Sequence, residues 1–212
     1  MATRPKRYML NDRIREDLLY RLRWNVFATL DDIEIATGPY DQTTNVPLLG
    51  HPLADKSIAN PSFSRIDKVY IGECLDKVVV RHEIPEEYRY KPPPPMTINN
   101  EDGSPITLGQ FVTQTHAYLN IHMKELKRVK GELYGELVKN EDGSWTRSIS
   151  DKPYLPPNIA FFFSKVWAVQ VGQIVQISTL VFAEGQDFRS TDQFWATRLR
   201  QAHSHERPHK DS

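Results

Sequence analysis

Two apolar, β-rich runs, IAFFFSKVWAVQV and IVQISTLVFA, flank Gly172. No other feature narrows the possible folds as much. The second run sets Ile174, Gln176 and Ser178 against Val175, Ile177 and Thr179 before turning wholly apolar. That period of two is the signature of a strand, and a glycine between two strand patterns supplies a tight turn. The spacing predicts a long hairpin.

What covers the hairpin is read from PITLGQFVTQTHAYLNIHMKEL. Thr107 and Gln110 have capping-box spacing, and Ile106 and Phe111 occupy the two staple positions around it. Such a cap contributes about 1 kcal/mol. A helix from Leu108 to about Val129 lines up Leu108, Phe111, Val112, Leu119, Met123 and Leu126 and is expected to pack on the sheet. Ser190 and Gln193 repeat the capping pattern and open a final helix, TDQFWATRLRQA, docked by Phe194, Trp195 and Leu199. Strands are expected at Ile66 to Ile71 and at Lys77 to Ile84, the second, with its VVVRHEI run, as a central strand covered on both faces. The mixed order of elements gives an α+β class, with a mixed or antiparallel sheet.

The remaining segments read less sharply. Asn11 to Leu22 permits a short helix capped by Asn11, while Leu22 to Phe27 reads as a strand. Leu30 to Ser64, rich in proline, glycine, aspartate and asparagine, is expected to wrap the surface, either as a binding loop or as the mask of a further element. Pro92 to Pro95 is an extended spacer. The pentapeptide NEDGS occurs at Asn100 to Ser104 and at Asn140 to Ser144, each copy between short apolar runs. Aligning Gly103 or Gly143 with the invariant glycine of an EF-hand puts Ile98 and Gly109, or Val138 and Ile149, where oxygen ligands are required. Both copies are therefore read as hairpin turns. Residues 1–9 and 201–212 are expected to be tails flanking a single domain over 10–200.

Composition bounds the function. The 212 residues carry 27 basic and 27 acidic side chains, so no net field draws the chain to nucleic acid, and the basic residues at Lys124 to Lys130 read as a solvated helix face. Cys74 is the only cysteine, the single Asn-x-Ser match at Asn60 is blocked by proline, and no signal-peptide run follows Arg7. The expected location is cytoplasmic or nuclear, not secreted. Ile159 to Val171, the longest apolar stretch, falls short of the roughly 18 to 20 residues a membrane span requires.

No Walker loop, dinucleotide-binding glycine motif, H-E-x-x-H or G-x-S-x-G is present. His116 and His122 lie six apart and out of register on the helix, so they are no chelating pair. His203, His205 and His209 fall in the expected tail, without a backbone to preorganise ligands. No metal and no cofactor is expected. Cys74 with His82 makes no recognisable nucleophile and base. Two groups of candidates remain: Arg81, His82 and His116 as lining of a pocket between sheet and helix, and Trp145 with Tyr154 as a partner-binding surface. Trp24, Trp167 and Trp195 are expected in the core.

Leu22-Arg23-Trp24-Asn25-Val26, the strand at Val78 to Arg81, and Pro105-Ile106-Thr107-Leu108-Gly109 followed by Tyr118-Leu119 together resemble a fungal, mainly basidiomycete, family of domains of unknown function. The resemblance covers about residues 19 to 130, and Asn25 departs from the Trp-Asp more usual in that family. It implies an intracellular α+β domain and transfers no catalytic residue. The function expected from the sequence is an interaction or ligand-binding module acting on a protein or small molecule, with loops 30–64 and 134–158 as its binding elements. The alternative is a small-molecule enzyme with its site around His116.

Overall fold

The computed structural model describes residues 6–79, 90–134, 136–139, 141–142, 145–148, 158–186 and 190–205. In chain order these form β1 (Arg7–Met9), α1 (Glu16–Leu19), β2 (Leu22–Arg23), β3 (Glu34–Thr37), β4 (Thr44–Pro47), β5 (Arg65–Ile71) and α2 (Gly72–Val79). There follow β6 (Met96–Asn99), α3 (Leu108–Ile121), α4 (Met123–Tyr134), β7 (Glu136–Lys139), β8 (Trp145–Ser148), β9 (Phe161–Val171), β10 (Ile174–Ala183) and α5 (Thr191–His205). The class is α+β.

The hairpin expected around Gly172 is the middle of a five-stranded sheet in the order β1-β9-β10-β5-β6. Val171 pairs with Ile174, and Gly172 takes the positive φ of 62° that a two-residue turn demands. The ladder runs to the Phe161–Ala183 pair, with one irregularity between Leu180 and Val181. β5 joins β10 in parallel, and all other pairings in the sheet are antiparallel. One face of the hairpin, through Phe161, Phe163, Val166, Ala168, Ile177 and Val181, shares a core with Phe111, Val112, Leu119, Leu126 and Val129 of α3 and α4. Helix therefore covers sheet as the apolar stripe predicted.

The helical stretch is not continuous. α3 ends at Ile121, its C-cap His122 leaves helical geometry (φ −102°, ψ 16°), and α4 starts at Met123. Ile121 at the break is 77% exposed, and the turn aims Leu126, Val129 and Lys130 inward. Thr107 caps α3 by accepting from the Gln110 amide at 3.2 Å. The Gln110 side chain does not complete the box. It pairs amide to amide with Asn100 of the first NEDGS copy, whose Asp102 carboxylate accepts from the Ser104 amide. That copy thus leads from β6 into a helix and not round a hairpin. The second copy does join two paired strands, β7 and β8.

Three further expectations are corrected. Residues 30–64 contain β3 and β4, which with β2 form a three-stranded antiparallel sheet, and they bury Ile33, Ile35, Leu48 and Ile58. Strands of two to four residues are too short to show a period. The strand expected over Lys77 to Ile84 is helical as far as Val79, and the rest lies outside the described residues. Here the buried positions Glu73 and Cys74 outweigh the β-branched preference of Val78 and Val79. Both tail boundaries also move. β1 pairs with β9, Asn11 accepts from the Ala168 amide instead of capping a helix, and α5 continues to His205.

The junction of β5 and α2 depends on close approach. A Cβ on Gly72 would stand 3.0 Å from Leu180 Cγ and 3.2 Å from the Thr179 carbonyl oxygen. As β5 leaves the sheet at this point, β10 loses its neighbour, and two side chains replace it. Glu73 Oε1 accepts from the Val181 amide at 2.9 Å and from Lys130 Nζ at 3.0 Å, while Lys130 also donates to the Val181 carbonyl. Each of the two residues is 1% exposed. Removing one partner leaves a buried charge and an unsatisfied strand. Lys130→Met is expected to destabilise the fold by about 3–5 kcal/mol, measured by urea denaturation. A loss below about 1 kcal/mol would show that the pair is not a buried clamp.

Candidate functional site

Of the sequence-derived candidates, only His116 and Trp145 fall among the described residues. Arg81, His82 and Tyr154 lie outside the described residues, and Trp145 opens β8 opposite Lys139. His116 sits on α3 against Trp24, which is fully buried and stacks on Phe163 at 5.1 Å. The Trp24 indole N–H donates to His116 Nδ1 at 3.2 Å. Asn120 stands 3.3 Å from His116 Nε2 and donates to the carbonyl oxygens of His116 and Val26. His116 thus ties α3 to the Trp24 segment.

Cys74 is 1% exposed, and burial pushes its thiol up to about 11, away from the thiolate that nucleophilic chemistry needs. Tyr90 lies beside it, its ring under Lys77 at 4.6 Å and Arg128 at 5.6 Å. Three basic residues of α4 are engaged as well. Lys130 is buried, Arg128 pairs with Glu125 at 2.6 Å, and Lys127 stands 5.2 Å over the Phe27 ring. Trp167, expected in the core, is 44% exposed on the outer face of β9, because the alternation turns it away from α3.

The described recesses lie instead along α5. Ser190 and Gln193 form a complete capping box at its start, each side chain meeting the other residue's amide, at 3.2 and 3.1 Å. Phe194, Arg198 and Ala202, spaced by four, form its buried line. Phe194 stacks on Phe182 with ring centroids 4.4 Å apart. An arginine in that line is the informative departure, since buried charges are ordinarily paired.

Arg198 is 3% exposed. Its guanidinium donates to the Ser164 carbonyl, at the irregularity in β9, and to the Leu19 carbonyl of α1 at 2.6 Å. The rings of Tyr20, Phe163, Phe194 and Trp195 surround it at 5.2–5.8 Å. Such contacts stabilise a cation by about 0.5–2 kcal/mol each. No described carboxylate pairs with it, its Nε–H is buried without an acceptor, and burial lowers its pKa to about 9.

Two recesses flank the helix. One, of about 270 Å³, lies against the three-stranded sheet and is lined by Arg21, Arg23, Thr43, Asn45, Asp192 and Trp195. The Arg23 guanidinium stands 5.7 Å over the Trp195 ring, and Arg21 donates to the Ala36 carbonyl at 2.9 Å. The other, of about 210 Å³, is lined by Ser164, Lys165, Thr197, Arg198 and Gln201. Tyr20 lines both, its hydroxyl bonded to Glu16, which also meets His205 at 3.1 Å. Sequence reading missed these residues because the recesses join parts of the chain far apart in sequence. Arg198, in register with Phe194 and Ala202, was the one available signal.

Fold and site together define an α+β protein in which a C-terminal helix is the shared wall of two small recesses. No protein-family model, curated protein or solved structure matches the chain. Among the described residues no group of three histidine, cysteine, aspartate or glutamate side chains could hold a metal ion, and no helix is long and apolar enough to cross a membrane.

Two measurements check the buried groups. Burial lowers the His116 pKa below its ordinary 6.5. The neutral ring is thus favoured in the folded state, so its stabilisation is full above about pH 6.5 and is lost as pH falls through the depressed value. Protonation also removes the acceptor for Trp24. Urea midpoints are expected to fall between pH 7.5 and 5 more steeply for the wild type than for His116→Gln, and parallel slopes would refute the assignment. Cys74 is expected to react with a thiol reagent only after unfolding; labelling at the denatured rate in native buffer would contradict its burial.

Proposed function

We propose that this protein is a small-molecule binding module without catalytic machinery of its own, and that its ligand site is the recess between α5 and the three-stranded sheet. The carrying observation is the lining: Arg21, Arg23 and Asn45 supply polar groups on one side, while α5 supplies the Asp192 carboxylate and the flat apolar wall of Trp195. An aromatic surface beside a few convergent polar groups is the usual composition of a ligand site. The volume of about 270 Å³ admits one ring with a polar substituent. Two arginines against the one carboxylate of Asp192 leave the lining net positive, which favours an acidic substituent, because the planar donors of arginine match a carboxylate in pairs.

Binding is favoured over catalysis by the condition of the groups that chemistry would use. His116 accepts from a buried indole, and Cys74 is buried and protonated. Neither faces the recess. An intracellular location, cytoplasmic or nuclear, fits a lone buried thiol that forms no disulfide. A protein partner reaching the same recess with one aromatic or acidic side chain is the neighbouring form of this reading. The expected resemblance to a fungal domain family carries no residue role into it.

Benzoate and benzamide provide the test, since they share a shape and differ in charge. Ligand-observed NMR is expected to show benzoate bound and benzamide bound at least about tenfold more weakly, as the loss of about 1.4 kcal/mol would give. Arg23→Ala and Trp195→Ala are each expected to abolish the benzoate signal. Equal binding of the two compounds, or binding unchanged in both variants, would sink the assignment.

A further inference from the structure

We propose that the recess on the opposite flank of α5 is a binding site for a small oxyanion, held by the guanidinium of Arg198 with Lys165, Thr197 and Gln201 around it. The two recesses use different faces of the helix. Asp192, Trp195, Ala196 and Leu199 line the first, whereas Phe194, Thr197, Arg198 and Gln201 line the second. Apart from Tyr20, a ligand in one is therefore recognised by different side chains from a ligand in the other.

The charge balance around Arg198 is incomplete among the described residues. A guanidinium withdrawn from water needs either a counter-charge or a full set of acceptors. Arg198 has two backbone carbonyls, from Ser164 and Leu19, and a surround of four rings, but its buried Nε–H has no acceptor. Carbonyl dipoles and ring faces supply partial negative charge without neutralising the cation. The recess beside it is lined mostly by polar groups.

The other charges nearby point the same way. Lys165 brings a second cation to the lining, with its ammonium 4.5 Å from the Trp167 ring. Glu16 is already engaged by the Tyr20 hydroxyl and by His205. Asp192 lines the other recess. Among the described residues the cavity thus holds two cations and no carboxylate. An oxyanion placed there supplies the counter-charge that the two lining cations lack among the described residues. A carboxylate and an inorganic phosphate share this chemistry and differ in shape, planar against tetrahedral.

The test compares sodium acetate and sodium phosphate with sodium chloride at constant ionic strength, following the melting temperature and the Arg Nε–H resonances by NMR. For the wild type, a saturable rise in melting temperature and a shift of one buried Arg Nε–H signal are expected with acetate, phosphate or both. A response to acetate alone identifies a planar site, and a response to phosphate alone a tetrahedral one. Gln201→Glu places a carboxylate of the protein's own in the lining. It is expected to melt higher than the wild type without added anion and to lose the anion response. Lys165→Gln is expected to keep the fold and to require about tenfold more anion. Arg23→Ala, which damages only the first recess, is expected to respond like the wild type, so failure there and failure here are distinguishable. No saturable response in the wild type, or the same response in Gln201→Glu, would overturn the proposal, because the latter is a general salt effect on the folded state.

Discussion

A single buried ion pair finishes the central sheet. Where β5 turns out into α2, β10 continues with no strand on that side, and a bare strand edge inside a core leaves donors and acceptors without water. Glu73 takes the Val181 amide and Lys130 takes its carbonyl, so two side chains stand in for two atoms of a missing strand. Their opposite charges neutralise each other at 3.0 Å. Isolated buried pairs are ordinarily poor stabilisers, because desolvation offsets the attraction. This one satisfies backbone groups as well, which an apolar replacement could not do. It also fixes α2, α4 and β10 at one point.

Arg198 plays a comparable part on the other face of the sheet, with a different balance. It joins α5 to the end of α1 and to the irregular turn of β9, and it does so through carbonyls and aromatic rings. Glu73 and Lys130 form a closed set of charges; Arg198 does not. The first arrangement serves architecture alone. The second serves architecture and leaves a cation lining a space open to ligands. Both recesses occur along α5 because its two flanks meet different parts of the chain, residues of β2, β3 and β4 on one and of β9 on the other.

Much of the fold was legible because its signals are local. The Gly172 hairpin, the Thr107 cap and the Ser190 capping box each need only a few neighbouring residues, and all three formed. Failures came where distant residues decided the outcome. Val78 and Val79 favour a strand in isolation, yet Glu73 had to reach β10, and α2 results. Lys130 reads as part of a solvated face because nothing in its own helix names the partner that buries it. β3 and β4 were hidden by brevity. The recesses were not legible at all, being lined from β2, β3, β4, β9 and α5.

The pairing of β1 with β9 and of β5 with β10 has a kinetic side. The contacts that hold the N-terminal elements span 157 residues from Asn11 to Ala168, 108 from Glu73 to Val181 and 179 from Leu19 to Arg198. Loops of that length must close before the contacts reward them, which places the chain among slow, high-contact-order folders. During synthesis, Leu22, Trp24, Ile66 and Val69 emerge long before the hairpin that buries them. Until then the nascent chain carries strand edges and apolar side chains with nothing to pair against, the condition under which chaperones are engaged.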